Sequence, residues 1–138
     1  MTEGSPTDLV DAFYRAYNAQ DAAAATALYA QDGWHQEGDS GPRRDGQAAL
    51  QQGLERFFVM LPDAHWLVRE TVTCGGTVAV VYTLTGRLGI DIGGSPTRGK
   101  PIELAGIHMF QLGENSIAGT RDYWDIREFQ RQIKGENA

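Results

Sequence analysis

The second half of this chain carries a run of segments rich in valine, isoleucine, threonine and aromatic residues, and that run limits the fold most. The segments read "AHWLVRETVTC", "TVAVVYTLTGRL", "KPIELAGIHMFQL" and "SIAGTRDYWDI". Between them stand Gly75-Gly76, Gly93-Gly94-Ser95-Pro96 and Gly113-Glu114-Asn115. β-type segments joined by glycine-rich turns predict antiparallel hairpins. A sheet of this kind has an apolar face that other elements must cover.

The first half supplies the cover. Ser5-Pro6-Thr7-Asp8 predicts a helix start, with serine as cap and proline in the first turn. Leu9, Phe13, Ala16 and Tyr17 then recur at helical spacing. Residues 18–21 break that helix, and Asp21 is placed to cap a second, alanine-rich one, "AAAATALYA". "DGWHQEGDSG" predicts a short strand running into a glycine-rich loop. Asp45 is placed to cap a third helix, "GQAALQQGLERFFVML", whose buried face would be Leu50, Leu54, Phe57, Phe58 and Leu61. Pro62-Asp63 ends it. At the far end, "DIREFQRQI" returns to helical spacing. The expected fold is α+β: a curved antiparallel sheet wrapped by N-terminal helices into a cone with an internal pocket. One domain is expected over residues 1–138, with its core at about 7–133.

Charge and composition narrow the partners. A net charge of -6 argues against nucleic acid and anionic membrane surfaces, which want a basic face. No apolar run approaches the roughly 20 residues that span a bilayer. "MTEGSPTDLV" lacks a signal-peptide pattern, and Cys74 is the only cysteine, so a cytoplasmic home is expected. Cys74 itself reads as a small residue at a strand end. No metal site is expected, because His35, His65 and His108 lie on separate segments without ligand spacing. "GGSPTRGK" has no helix after it and fails as a phosphate loop.

Side chains alternate along a strand, so candidate polar residues sort by face. Thr120, Asp122 and Trp124 share one face of the last strand, and Gly106, His108 and Phe110 share one of the strand before it. His35 and Glu37 share a face of the first strand, and Thr83, Thr85 and Arg87 one of the central strand. An acid among aromatics inside a strand is costly if buried and unpaired, which singles out Asp122. Asp125 opens "DIRE", a capping box, and reads as a helix cap. Trp34, Trp66, Tyr14 and Tyr17 are candidates to shape a ring-binding pocket, against plain core packing.

The order of elements, with "PTRGKPIELAGIHMFQL" and "GTRDYWDIREF", resembles the SnoaL-like branch of the nuclear transport factor 2-like superfamily over residues 7–133. The stretch "TGRLGIDIGGSPTRGKPIELAG" resembles SnoaL-like polyketide cyclases, and "RDYWDIREF" resembles limonene-1,2-epoxide hydrolase. The resemblance implies an apolar pocket in a cone, acid/base chemistry without a cofactor, and a homodimer formed through the sheet. In the epoxide hydrolases the aspartate of the matching motif falls on Asp122. Their central-strand arginine and second aspartate fall on Thr85 and Arg87, and their tyrosine and asparagine on His35 and Glu37.

The leading expectation is an acid/base enzyme, cyclase- or isomerase-like, for an apolar oxygenated small molecule. Asp122 would move a proton, His108 would relay it or bond the developing enolate, and Arg87 would hold Asp122 ionised. His35, Glu37, Trp34, Tyr14 and Trp124 would contact the substrate. The alternatives are an epoxide hydrolase with Glu37 as second acid, and a non-catalytic binding or dimerisation module.

Overall fold

The computed structural model describes residues 6–134. The elements run α1 (Pro6–Asn18), α2 (Ala22–Thr26), β1 (Tyr29–Glu37), β2 (Arg43–Asp45), α3 (Gln47–Met60), β3 (His65–Cys74), β4 (Thr77–Arg87), β5 (Pro101–Leu112), β6 (Ile117–Trp124) and α4 (Ile126–Lys134). The proposed cap Ser5 lies outside the described residues. Among the described residues no helix is long and apolar enough to cross a membrane.

The turn-separated segments do form an antiparallel meander, β3 to β6. The full sheet has six strands in the order β2-β1-β6-β5-β4-β3. β1 lies parallel to β6, a pairing that the hairpin pattern does not reveal, because the partners are far apart in sequence. Two local expectations are corrected. α2 stops at Thr26, and Tyr29 already belongs to β1. Asp45 does not cap α3: it sits in β2 and pairs with Arg43, while Gly46, at φ +90°, takes the cap position. Asp21 does cap α2, accepting from the Ala24 amide at 3.0 Å.

Alternation along β4 and β5 sets the inner face. Val78, Val80, Tyr82 and Leu84 are buried, as are Ile102, Leu104, His108 and Phe110. α1 covers this face with Phe13, fully buried, whose ring lies 3.9 Å from Tyr17 and 4.9 Å from Phe110. Asn18 holds α1 to edge strand β3: its amide bonds both the N–H and the C=O of Trp66, at 2.7 and 3.1 Å, as a neighbouring strand would. In α3, Leu50 and the following Leu61 are buried, whereas Leu54, Phe57 and Phe58 are only half-buried. Leu54 and Phe57 face a cavity between the helix and the sheet. α4 sits on β5 through Gln132, which bonds the backbone N–H and C=O of Glu103 at 2.8 and 2.7 Å. Asp125 caps it, accepting from the Arg127 amide at 2.9 Å.

One close approach decides the shape of the inner face. Tyr82 and Gly106 are directly paired, and the Tyr82 phenol passes over the glycine toward β6. A Cβ at 106 would overlap the Tyr82 hydroxyl and ring carbon, with the Tyr123 carbonyl 3.0 Å away on its other side. Gly106→Ala should therefore destabilise the protein by about 1–3 kcal/mol, the usual cost of overpacking. Urea unfolding measures it, and an unchanged midpoint would refute the close packing.

Candidate active site

The cavity has a volume of about 430 Å³ and lies between α3, α4 and the inner face of the sheet. Its wall is mainly apolar: Leu50, Leu54, Phe57, Met60, Trp66, Leu84, Ile102 and Leu104. Polar groups enter from neighbouring strands in register. Asp122 on β6 stands between His108 on β5 and Glu37 on β1, and Thr120 is paired with His35. Side chains paired in this way lie within reach of one another.

Asp122 is the centre of the first polar group. Its Oδ1 accepts from the Tyr82 hydroxyl at 2.6 Å, and its Oδ2 faces His108 Nε2 at 3.4 Å. The side chain keeps 16% of its exposure, against 1% for His108. On the far side of the imidazole, Tyr14 Oη lies 2.7 Å from His108 Nδ1. Burial and the negative charge of Asp122 push the Tyr14 and Tyr82 phenols well above their ordinary range, so both remain donors. With Tyr14 donating to Nδ1, the remaining imidazole N–H points at Asp122. Burial alone would raise the Asp122 carboxyl. The His108 ring and the Tyr82 hydroxyl, with His35 further off, outweigh it and hold the carboxyl below the usual carboxylate range.

A second polar group runs beside the first. Tyr29 Oη and His35 Nδ1 each lie 2.7 Å from Thr120 Oγ1. His35 Nε2 is in short contact with Glu37 Oε2, and the Trp124 indole N–H donates to Glu37 Oε1 at 2.9 Å. A directed chain from Tyr29 through Thr120 to His35, and from His35 to Glu37, uses every donor once. Both Glu37 oxygens are thereby engaged, whereas Asp122 Oδ2 has only its long contact.

The sequence-derived site residues divide cleanly. Asp122, His108, His35, Glu37 and Trp124 converge on the cavity. Arg87 does not. It is exposed, bonds the Gly99 carbonyl at 3.1 Å, and its amide donates to Asp63. Tyr82 and Leu84 point inward on β4, so parity sends Thr83, Thr85 and Arg87 outward. Tyr82 and His108 do the work assigned to Arg87. Trp34 is also corrected: it lies on the outer face, packed over Gly119 between the guanidinium groups of Arg43 and Arg121, 4.6 and 4.8 Å from its ring. Tyr14 is buried behind His108, away from the cavity wall, while Tyr17 and Trp66 are part of that wall. The residues that sequence reasoning missed are Tyr82, Tyr29 and the bonding role of Thr120. Gly106 was the available signal for Tyr82, since a glycine inside a strand marks a close approach.

The acid limb of stability should report this arrangement. A carboxyl lowered in the folded state adds stability above its unfolded value, about 3.9, and loses it as pH falls through the folded value. Asp122→Asn should therefore flatten the dependence of the urea midpoint on pH between about 2 and 5. An acid limb as steep as that of the parent would mean that Asp122 is not held ionised.

The profile of the SnoaL-like polyketide cyclase family matches residues 7–133. A candidate polyketide cyclase from Xanthomonas campestris pv. campestris is 28% identical, with a TM-score of 0.79, covering 93% of this chain and 96% of that one. IdmH, a candidate polyketide cyclase from Streptomyces antibioticus, is 24% identical with the same TM-score of 0.79, covering 95% and 99%. A Catenulispora acidiphila protein with a ketosteroid isomerase-like fold is 19% identical, again at 0.79, covering 94% of each chain. The last two show likeness of fold. The profile match spans nearly the whole chain, and by it this protein belongs to the SnoaL-like polyketide cyclase family.

Proposed function

We propose that this protein is a cofactor-independent acid/base enzyme that closes a ring in, or isomerises, an apolar oxygenated small molecule. The observation that carries the reading is Asp122: an ionised carboxylate with one lightly engaged oxygen, at the wall of an apolar cavity. Asp122 Oδ2 takes a proton from a carbon next to a carbonyl, and the C–H electron pair becomes the enolate. The enolate carbon attacks a second carbonyl of the same molecule, forming one C–C bond. The resulting alkoxide takes the proton back from Asp122, so the product is an isomer of the substrate. In an isomerisation the proton returns instead to another carbon.

The neighbours serve that cycle. His108, fixed by Tyr14, orients Asp122 and favours its anion. Tyr82 lines the cavity and donates to Asp122 in the resting site. Once Asp122 holds the substrate proton, the Tyr82 hydroxyl is free to turn to the substrate oxygen, where the negative charge develops. Epoxide hydrolysis is less favoured, because it needs a second carboxyl group able to give a proton. Glu37 has both oxygens occupied by His35 and Trp124.

The test is proton exchange at a carbon acid. A 1,3-dicarbonyl ester or cyclic ketone that fits the cavity should exchange its α-hydrogens for deuterium faster with the enzyme, read by NMR. Asp122→Asn should lower that rate by about 10²- to 10⁴-fold. Tyr82→Phe should lower it by about 10- to 100-fold, the worth of a hydrogen bond to a charged group. Full exchange in Asp122→Asn would sink the proposal, and binding without exchange in the parent would favour a binding module.

The outer face of the sheet carries Leu67 and Val72 on β3 and Ile107 on β5, at 47, 53 and 40% exposure, with β4 between the two strands. The reading extends to a homodimer that buries this face. Ile107→Asp should shift the protein to monomer in sedimentation equilibrium, and an unchanged mass would exclude this face as the interface.

A further inference from the structure

The polar groups above leave two cations at the cavity unexplained, Arg44 on β2 and Arg56 on α3. Arg44 is paired directly with His35, so it shares the inner face with His35 and Glu37. The arginines on the outer face all have partners: Arg43 bonds Asp45, and Arg43 and Arg121 cover the Trp34 ring. The pair at the cavity, half-buried Arg44 and exposed Arg56, differs. Among the described residues, neither Arg44 nor Arg56 has a carboxylate within 4.0 Å or a side-chain hydrogen bond.

Arg44 is also seated. A Cβ at Gly53 would stand 2.6 Å from Arg44 Nε, 2.8 Å from Cδ and 2.9 Å from Cζ. The guanidinium therefore lies against the bare backbone of α3, a position that only glycine leaves open. A glycine inside a helix costs about 0.5–1 kcal/mol relative to alanine. Here the sacrifice seats a half-buried charged fork at the cavity. Guanidinium geometry matches a carboxylate through two parallel N–H bonds.

We propose that Arg44, seated by Gly53 and assisted by Arg56, is an anion-binding subsite, and that the substrate carries a carboxylate on its apolar ring body. This deepens the reading of the cavity as a substrate pocket and rests on it. The carboxylate docks at Arg44, and the ring body extends over Leu54 and Phe57 toward Asp122. A cation at this point also offsets the repulsion that Glu37 and Asp122 would exert on an anionic ligand.

The test uses 2-naphthoate and its methyl ester, which differ only in the charge. Binding is read by quenching of tryptophan fluorescence, since Trp66 and Trp124 line the cavity, and by calorimetry. The acid should bind the parent at least about tenfold more tightly than the ester, with the advantage shrinking as salt rises. Arg44→Met keeps the side-chain stem and should remove most of the acid's advantage, and Arg44→Met with Arg56→Met should make the two ligands equal. Gly53→Ala, which displaces the guanidinium without removing its charge, should weaken the acid alone while leaving the protein as stable or more so. An acid advantage undiminished in Arg44→Met, or equal binding of both ligands by the parent, overturns the subsite but leaves the pocket reading intact. If neither ligand binds the parent, the pocket reading falls and the subsite with it.

Discussion

A carboxylate beside an apolar cavity must be compensated, and the compensation of Asp122 organises the structure around it. Desolvating an unpaired carboxylate costs far more than a small domain can spare. Tyr82 supplies one donor and His108 faces the other oxygen. Each draws in further structure: Tyr82 needs the missing side chain of Gly106, and His108 needs Tyr14 from α1. α1 thus does more than cover the sheet. It delivers the hydroxyl that settles which way the imidazole presents its proton, and Phe13 packs edge-on against the same ring at 5.6 Å.

The two histidine–carboxylate pairs differ in a way that suits different tasks. The Glu37 pair is saturated, held by His35 and Trp124 and tied to β6 through Thr120. The Asp122 pair is looser on one side, with 3.4 Å to His108 and some exposure. A saturated acceptor is a poor base, because taking a proton means giving up a bond already made. A partly engaged one has less to lose. This asymmetry is why the proposal gives the proton transfer to Asp122 rather than to Glu37.

Much of this was legible in the residues. Period-two alternation and glycine turns locate β3 to β6, and parity groups Thr120, Asp122 and Trp124 on β6 and Gly106, His108 and Phe110 on β5, two sets that the register puts on the same face. The capping role of Asp125 followed from "DIRE". What alternation cannot supply is which parity is inside. On β4 the inner set is Tyr82 and Leu84, so Arg87 fell to the wrong face, and on β1 Trp34 did the same. Tyr14 packs behind His108 instead of lining the cavity, which α1 reaches only through Tyr17. Such offsets arise from the curvature of the sheet and the seating of helices, which depend on contacts remote in sequence. Tyr82 escaped notice because a tyrosine in a strand is ordinary core until its partner strand is known.

The parallel pairing of β1 with β6 has a consequence for how the protein comes into being. His35 and Thr120, which bond across that pair, are 85 residues apart, and Tyr14 and His108 are 94 apart. Contacts of such range close the largest loops in the chain and are slow to form. Emerging from the ribosome, β1 meets β2 and α1 meets β3 early, but Thr120 and His108, the polar partners of His35 and Tyr14, come only with β5 and β6. Each half carries part of a polar group, Tyr82, His108 and Asp122 in one and His35 and Glu37 in the other, but the bonds from Tyr14 and Thr120 that complete them cross between the halves. The polar network at the cavity is therefore complete only once β6 has joined the sheet.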